Sequence, residues 1–394
     1  MMSTHRHNTQ LPILKNLPRA SKHMQGEKDQ GLYIGLMSGT STDGIDAALF
    51  DFQAGQVVMI AHHHRPFDHT EKQEIVALTQ PGTNEIDRAG KLDIALGRSF
   101  ARTVWDLLQL ANIDSSDVKA IGSHGQTIRH RPAGEYPFSL QVGNPSVIAQ
   151  ETKITTVADF RQRDLAVGGQ GAPLAPAFHQ AFFHSPNERR CVINIGGIAN
   201  ISVLADDSKQ TLGYDTGPGN VLMDAWIHKT KGQVYDKGGN WAATGQVHNE
   251  LLSSLLSHEY FKKDFPKSTG REDFHLEALE HYLKGYEHVP PEDVQATLCQ
   301  LTAQSIANEV SRHHPQGVYV CGGGAHNIYL MSNLQALLPD CKVASTEALG
   351  FNPDWVEAGL IAWLAKQTLH SQQGNLPSVT GASESVILGG IYPA

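Results

Sequence analysis

One order of elements occurs twice in this chain: a short apolar run, a glycine-rich loop, a second apolar run, then helices. The first copy opens at Tyr33, where "YIGLMS" and "AALFDF" flank the loop within "GLMSGTSTDGID"; the second opens at Cys191 with "CVINIGGIANISVLA". Apolar runs of this length bounded by glycine read as strands, and each such pair as a hairpin. "VVMIAHHHRPF" supplies a third strand to the first copy. Ile86, Leu92, Leu96, Phe100, Val104, Leu107 and Leu108 then recur at helical spacing between Glu85 and Asn112. "AIGSHGQT", "SLQVGNPSVIA" and "ITTVADF" hold further short strands. After the second hairpin come "LGYDTGPGN", a helical run from Val221, helices from Asn249 to His314, late strands in "GVYVCGGGAHN" and "KVASTEAL", and an amphipathic helix over Trp355 to His370. The halves share this order without a detectable repeat of residues. Such alternation predicts an α/β architecture of two related domains with a cleft between them.

A length of 394 residues accommodates two separate cores. The formal charge of -9 speaks against a nucleic-acid binder and against a membrane-surface protein, both of which need a basic face. Cys191, Cys299, Cys321 and Cys341 are widely spaced with no CxxC pair, which argues against a zinc ribbon or a disulfide framework and for a reducing cytoplasm. No apolar run is long enough to span a bilayer. Residues 1–30 are polar and basic, and read as a flexible tail.

Three glycine loops each follow an apolar strand. In the first, Gly39, Thr40 and Ser41 offer amides and hydroxyls, either as a plain hairpin turn or as a nest for anionic oxygens without a lysine. Asp43 beside them fits a phosphate site only if Mg²⁺ bridges it to phosphate, directly or through water. The second is "NIGGIAN" with Gly196 and Gly197; the third is "VCGGGAHN" with Gly322, Gly323 and Gly324, which permit close backbone approach by a flat or phosphorylated ligand. "GSHGQT" places Ser123, His124 and Gln126 at a strand end, where His124 is either a satisfied structural histidine or a working one. "ADFRQRDLAVGGQGAPL" packs Asp159, Arg161, Arg163 and Asp164 as a surface salt-bridge network or as an anion or hydroxyl site. Asp215 in "GYDTGPGN" sits in a turn flanked by glycines, as a turn-former or as a general base with a clear path to a ligand. Glu357 opens the last long helix, on a solvated face or at a site. His62, His63 and His64 read as an exposed run, because alternate strand residues face opposite ways. GxxxxGK[ST], HExxH, the EF-hand pattern and GxSxG are all missing.

Taken together, "GLMSGTSTDGID", "GSHGQT", "ADFRQRDLAVGGQGAPL", "NIGGIANIS", "DTGPGNVLMDAW", "PKSTGRE" and "VCGGGAHN" resemble the bacterial anhydro-N-acetylmuramic acid kinases, from about residue 31 to the end. These belong to the superfamily of actin, hexokinase and heat-shock chaperone ATPases. The resemblance implies a two-domain actin-like ATPase (ribonuclease H-like) fold with a central active-site cleft. Its domains would be 31–185, rejoined by a segment near 375–394, and 186–374. It implies ATP and Mg²⁺ as cofactors, a small sugar as substrate, and a homodimer. The implied reaction opens 1,6-anhydro-N-acetylmuramic acid with water and phosphorylates O6, giving N-acetylmuramic acid 6-phosphate and ADP in cell-wall recycling.

Carried over by residue, the resemblance implies that Gly39, Thr40, Ser41, Thr42, Asp43, Gly44, Ile45 and Asp46 contact ATP phosphates, with Asp43 on the magnesium side. Gly196 and Gly197 form the second phosphate loop, and Gly322, Gly323 and Gly324 the adenosine loop. Asp215 is the base, Glu357 assists at the sugar, and His124, Gln126, Arg161 and Gln170 face the substrate. Two departures from the wider superfamily stand out: the first-loop aspartates follow the glycines, and Asn194 stands where aspartate is common. The alternative is another sugar or acetate kinase of the same superfamily, acting on a hydroxyl that is already free.

Overall fold

The computed structural model describes residues 31–39, 42–53 and 56–394; the expected N-terminal tail and two loop residues, Thr40 and Ser41, lie outside them. The chain divides into two compact units, one running to Leu174 and resumed by Glu357–Ala394, the other Ala175–Val356.

In the first unit, β1 (Gly31–Ser38), β2 (Gly44–Gln53) and β3 (Gln56–Pro66) form an antiparallel meander. β4 (Val118–Arg131) then pairs in parallel with the inner strand β1, β5 (Phe138–Val142) folds back onto β4, and β6 (Thr156–Ala158) joins β4 in parallel. The second unit repeats the plan. β7 (Arg190–Ile195), β8 (Ile198–Val203) and β9 (Leu212–Pro218) form a meander, and β10 (Gly317–Cys321) and β11 (Lys342–Ser345) are added in parallel beyond β7. Each sheet thus has its first strand in the middle, with a meander on one side and parallel strands on the other. This is the duplicated ribonuclease H-like arrangement expected from the sequence.

The first core forms where the helix Glu85–Ala111 lays Leu92, Leu96, Phe100, Val104 and Leu107 on Ile34, Leu36 and Leu49 of the sheet. The last strand, β12 (Gly390–Tyr392), pairs with β6. The chain returns to this unit at Glu357, a helix earlier than the expected 375. The reason lies in two glycines that are register partners on β1 and β4, Gly35 and Gly122. A Cβ on Gly35 would stand 1.8 Å from the carbonyl oxygen of Ala358, and one on Gly122 2.2 Å from that of Ile361. The helix Val356–Leu369 therefore packs backbone against backbone on the first sheet. It is not amphipathic as expected: Ala358 and every residue from Leu360 to Ala365 are buried, so apolar residues surround it.

Candidate functional site

In the first unit, β1 ends at Ser38, whose buried hydroxyl lies 2.6 Å from Gln126 Oε1 and 3.0 Å from the carbonyl oxygen of Gly44. This ties the exit of β1 to β4, where Ser38 and Gln126 are register partners. Beyond it the Thr42 amide donates to the Gly39 carbonyl at 3.2 Å. Thr42 is buried with φ 52, a left-handed conformation that costs a β-branched residue on the order of 1–3 kcal/mol and that the surrounding structure must hold in place. The loop residues then diverge in what they can offer. Gly44 is glycine because a Cβ would meet the Arg65 carbonyl oxygen at 2.3 Å, and Ile45 belongs to the core, so both can present only backbone. Asp46 is held by His64 Nδ1 at 2.7 Å across the β2–β3 pair, which corrects the expectation of an exposed histidine run: His62, His63 and His64 are all half-buried. Asp43 is exposed.

Next to this loop along β4 stands His124. It is buried, with Nδ1 2.9 Å from the Gly125 carbonyl oxygen, while Nε2 accepts from Arg161 Nε at 3.2 Å and Nη2 at 2.8 Å. An imidazole that accepts at Nε2 carries its proton on Nδ1, so His124 is neutral with its lone pair occupied. Burial, aided by the Arg161 charge, holds its pKa far down at about 3. It is therefore no proton carrier at neutral pH; it aims Arg161. Arg161 also donates to the Gly171 carbonyl at 2.6 Å, and burial lowers its pKa to about 10 against the opposing charges of Glu357 and Asp164. Glu357 is exposed in the first turn of its helix, close enough for its charge to bear on Arg161. The side chain of Gln170 is exposed and its amide is fixed to the Thr380 carbonyl. Asp164, open in sequence to a surface salt-bridge network or an anion or hydroxyl site, is instead an interior hub. Asp164 is fully buried and accepts from the Gly171 amide, Asn375 Nδ2 and Thr380 Oγ1, each at 2.7 Å. It thereby shapes the loop that carries Gln170 and receives Arg161.

In the second unit, three glycine segments meet at the carboxyl ends of β7 and β10, the edge at which α/β sheets bind ligands. The carbonyl of Gly196 accepts from the Asn220 amide at 2.8 Å, and that of Gly197 from Gly219 and Val221 at 2.9 and 3.1 Å. The helix Val221–Lys231 begins here without a side-chain cap, its Val221 amide taken by the Gly197 carbonyl. The glycines are of two kinds. Gly219, Gly322 and Gly324 are packed: an added Cβ would meet Gly196 O at 2.3 Å, Asn194 Oδ1 at 2.4 Å and Ile195 Cγ2 at 2.3 Å respectively. Around Gly196, Gly197 and Gly323 the nearest atoms stand at 3.7, 3.9 and 3.8 Å, and none of the three has a positive φ. Neither packing nor backbone conformation calls for glycine at these positions, and the main chain there is left uncovered.

Asp215 lies within β9 rather than in a turn, paired with Asn200 of β8 just past a register shift. Its main chain is held at both ends, the amide by the Lys267 carbonyl at 3.1 Å and the carbonyl by the Tyr260 hydroxyl at 2.6 Å. Its Oδ2 accepts from Ser268 Oγ and from the Thr269 amide, both at 3.0 Å. Burial raises its pKa, the bonds from Thr269 and Ser268 oppose this, and the charge of Glu272 adds to the rise. One oxygen is thus anchored, and the carboxylate is made more basic than an exposed one. Sequence reasoning assigned no role to Ser268 and Thr269, although "PKSTGRE" marked the segment. The pairing of residues so far apart in the chain is decided by the fold.

The family model for anhydro-N-acetylmuramic acid kinase matches residues 31–394. The anhydro-N-acetylmuramic acid kinase of Shewanella pealeana is 50% identical over 363 residues, covering 92% of this chain and 98% of that protein. That of Coxiella burnetii is 50% identical over 363 residues, covering 91% and 97%. Among solved structures, a ROK family glucokinase from Streptomyces griseus in complex with glucose and AMPPNP is similar over 86% of this chain and 100% of that chain, at 14% identity and a TM-score of 0.39. With the family model spanning all of the chain beyond residue 30, and relatives at this identity over nearly their whole length, the chain belongs to the anhydro-N-acetylmuramic acid kinase family.

Proposed function

We propose that this protein is an ATP-dependent kinase that opens 1,6-anhydro-N-acetylmuramic acid with water and phosphorylates O6, yielding N-acetylmuramic acid 6-phosphate and ADP in peptidoglycan recycling. The observation that carries this reading is the state of Asp215, with one oxygen clamped by Ser268 and Thr269 and its pKa raised. In the reaction, water bonds to the anomeric carbon and yields its proton to Asp215, as a general base does in inverting glycosidases. The C1–O6 bond breaks, and O6 takes the γ-phosphoryl group as ADP departs. The leaving oxygen needs no acid, because phosphorus captures it. Arg161, aimed by His124, and Glu357 are assigned to the sugar together with Gln126 and Gln170. Ser38 and His124 occupy the inner contacts of Gln126 and Arg161, so these two act with the groups that remain.

The phosphate contacts are assigned to Gly39 through Asp46, with Gly44 and Ile45 contributing backbone only, and to the uncrowded main chain at Gly196 and Gly197, where the Gly196 amide is already bonded to the Ile198 carbonyl at 3.2 Å. Gly323 is assigned to the nucleoside. Mg²⁺ fits this donor set. Among the described residues no three His, Cys, Asp or Glu side chains gather as a cage, while Asp43 offers one exposed carboxylate, which is how Mg²⁺ on a nucleotide is commonly held. When bound, it would supply charge neutralisation on the transferring phosphoryl group. A cytoplasmic location is consistent with four free cysteines, and no helix among the described residues is long and apolar enough to cross a membrane. A homodimer completes the reading, and sedimentation checks it.

Turnover in ¹⁸O-labelled water tests the chemistry. Label should enter the hydroxyl at C1 and be missing from the phosphate ester; label in the ester would sink the coupled mechanism. Faster turnover of reducing amino sugars than of the anhydro form would instead favour a kinase acting on a free hydroxyl.

A further inference from the structure

Beneath Asp215 lies a buried charged cluster that takes no direct part in the proposed reaction. Lys267 precedes the two residues that clamp the Asp215 carboxylate, and its own carbonyl receives the Asp215 amide. Its side chain turns inward to Glu309, with Nζ–Oε1 at 2.6 Å and side-chain exposures of only 2% and 7%. Tyr214, the residue before Asp215 on β9, faces the opposite side of the strand as alternation requires. Its hydroxyl lies 3.2 Å from Glu309 Oε2 and 2.6 Å from His313 Nε2. Arg312 donates to the same Oε2 at 3.2 Å. Tyr260, whose hydroxyl holds the Asp215 carbonyl, has its ring 5.1 Å from the Lys267 ammonium. The strand bearing the base and the segment clamping it therefore converge on one carboxylate of the helix Pro291–Ser311.

A buried ion pair is weak evidence for stability, because apolar residues of similar volume often do as well. Its directionality is what apolar residues cannot replace. We propose that Glu309 is a positioning residue for the base: through Lys267 and Tyr214 it fixes the spacing between β9 and the Ser268–Thr269 segment, and so which oxygen of Asp215 is anchored and which is presented to water. This rests on the reading of Asp215 as base.

The test pairs the double variant Lys267→Met with Glu309→Leu, which removes both charges together, and the isosteric Tyr214→Phe. Each is measured for thermal stability, for ATP affinity and for the pH dependence of turnover. If the cluster positions the base, the folded double variant keeps ATP affinity within about threefold but loses about 100-fold in kcat, the scale on which a misplacement near 1 Å acts. The acid limb of kcat/KM should move to higher pH in both variants, because the Ser268 and Thr269 bonds are what oppose the raised Asp215 pKa. The other titratable groups facing Asp215, Glu272 and Tyr260, remain unchanged in both. Wild-type kcat and an unmoved acid limb in the folded double variant overturn the proposal. Should the double variant not fold, an unmoved limb in Tyr214→Phe overturns it alone. Asp215→Asn run in parallel separates the two readings. Its inactivity beside fully active cluster variants defeats only the positioning role, whereas its near-normal turnover defeats the assignment of the base itself.

Discussion

The division of the second unit's glycines into packed and open ones yields a sharp prediction. Gly219→Ala would place a Cβ 2.3 Å from the Gly196 carbonyl oxygen, so the two loops must part. Overpacking of this kind costs about 1–3 kcal/mol, and a unit of this size loses roughly 2–4 °C of Tm per kcal/mol. Gly196→Ala and Gly197→Ala meet nothing nearer than 3.7 and 3.9 Å, in a backbone conformation open to alanine. Their folds should hold, or gain about 0.4–1 kcal/mol from the smaller freedom of the unfolded chain. On the proposed phosphate assignment, the methyl would stand where a phosphate oxygen has to approach the main chain. Losing one hydrogen bond to a charged group costs about 1.5–3 kcal/mol, or roughly 10- to 150-fold in Kd. Thermal melts give the first quantity, and calorimetric titration with a non-hydrolysable ATP analogue the second. Wild-type affinity in both open-site variants would refute the phosphate assignment. Melting as low as that of Gly219→Ala would refute the distinction between the two kinds of glycine.

Gly122→Ala should destabilise the first unit by about 1–3 kcal/mol or more, since the helix backbone stands 2.2 Å from the new Cβ; an unchanged melting profile would show that the helix can lift away. His124→Ala leaves Arg161 without an acceptor for two donors, at a cost of about 1–3 kcal/mol, so sugar kcat/KM should fall while the Kd for ATP is unmoved. His124 and His179 both have pKa values lowered to about 3 by burial, so between there and the ordinary value of 6.5 the unfolded chain binds more protons than the folded one. Stability should therefore fall as pH drops below about 6.5, by up to about 1.4 kcal/mol per pH unit for each histidine. His179→Leu combined with Ser202→Ala, which removes a buried imidazole and its partner at 2.8 Å, should flatten that slope in melts taken between pH 7 and 5.

Much of this architecture was legible in one dimension because it rests on local rules. Alternating apolar runs, glycine hairpins and the spacing of Leu92, Leu96, Phe100 and Val104 follow from strand and helix geometry, and they recur in the same order in both units. The combination of loops that marked the family is local too, since each is a strand end and its turn. What a glycine is for is not local. Gly196 and Gly322 look alike in sequence, and only the neighbouring chain shows that one is open and the other closed against Asn194. Asp164 reads as one more charge in a surface run until Asn375 and Thr380 arrive from the far end of the chain to bury it. His124, structural or working as far as residue order tells, becomes a neutral support of Arg161 once burial and a cation beside it decide its proton. The sequence by itself determined the kind of fold and the places where glycine leaves the backbone bare. Tertiary structure decided which glycines are free to meet a ligand, which charges are buried, and what holds Asp215. Packing, desolvation and hydrogen bonding depend on distances in space that residue order does not contain.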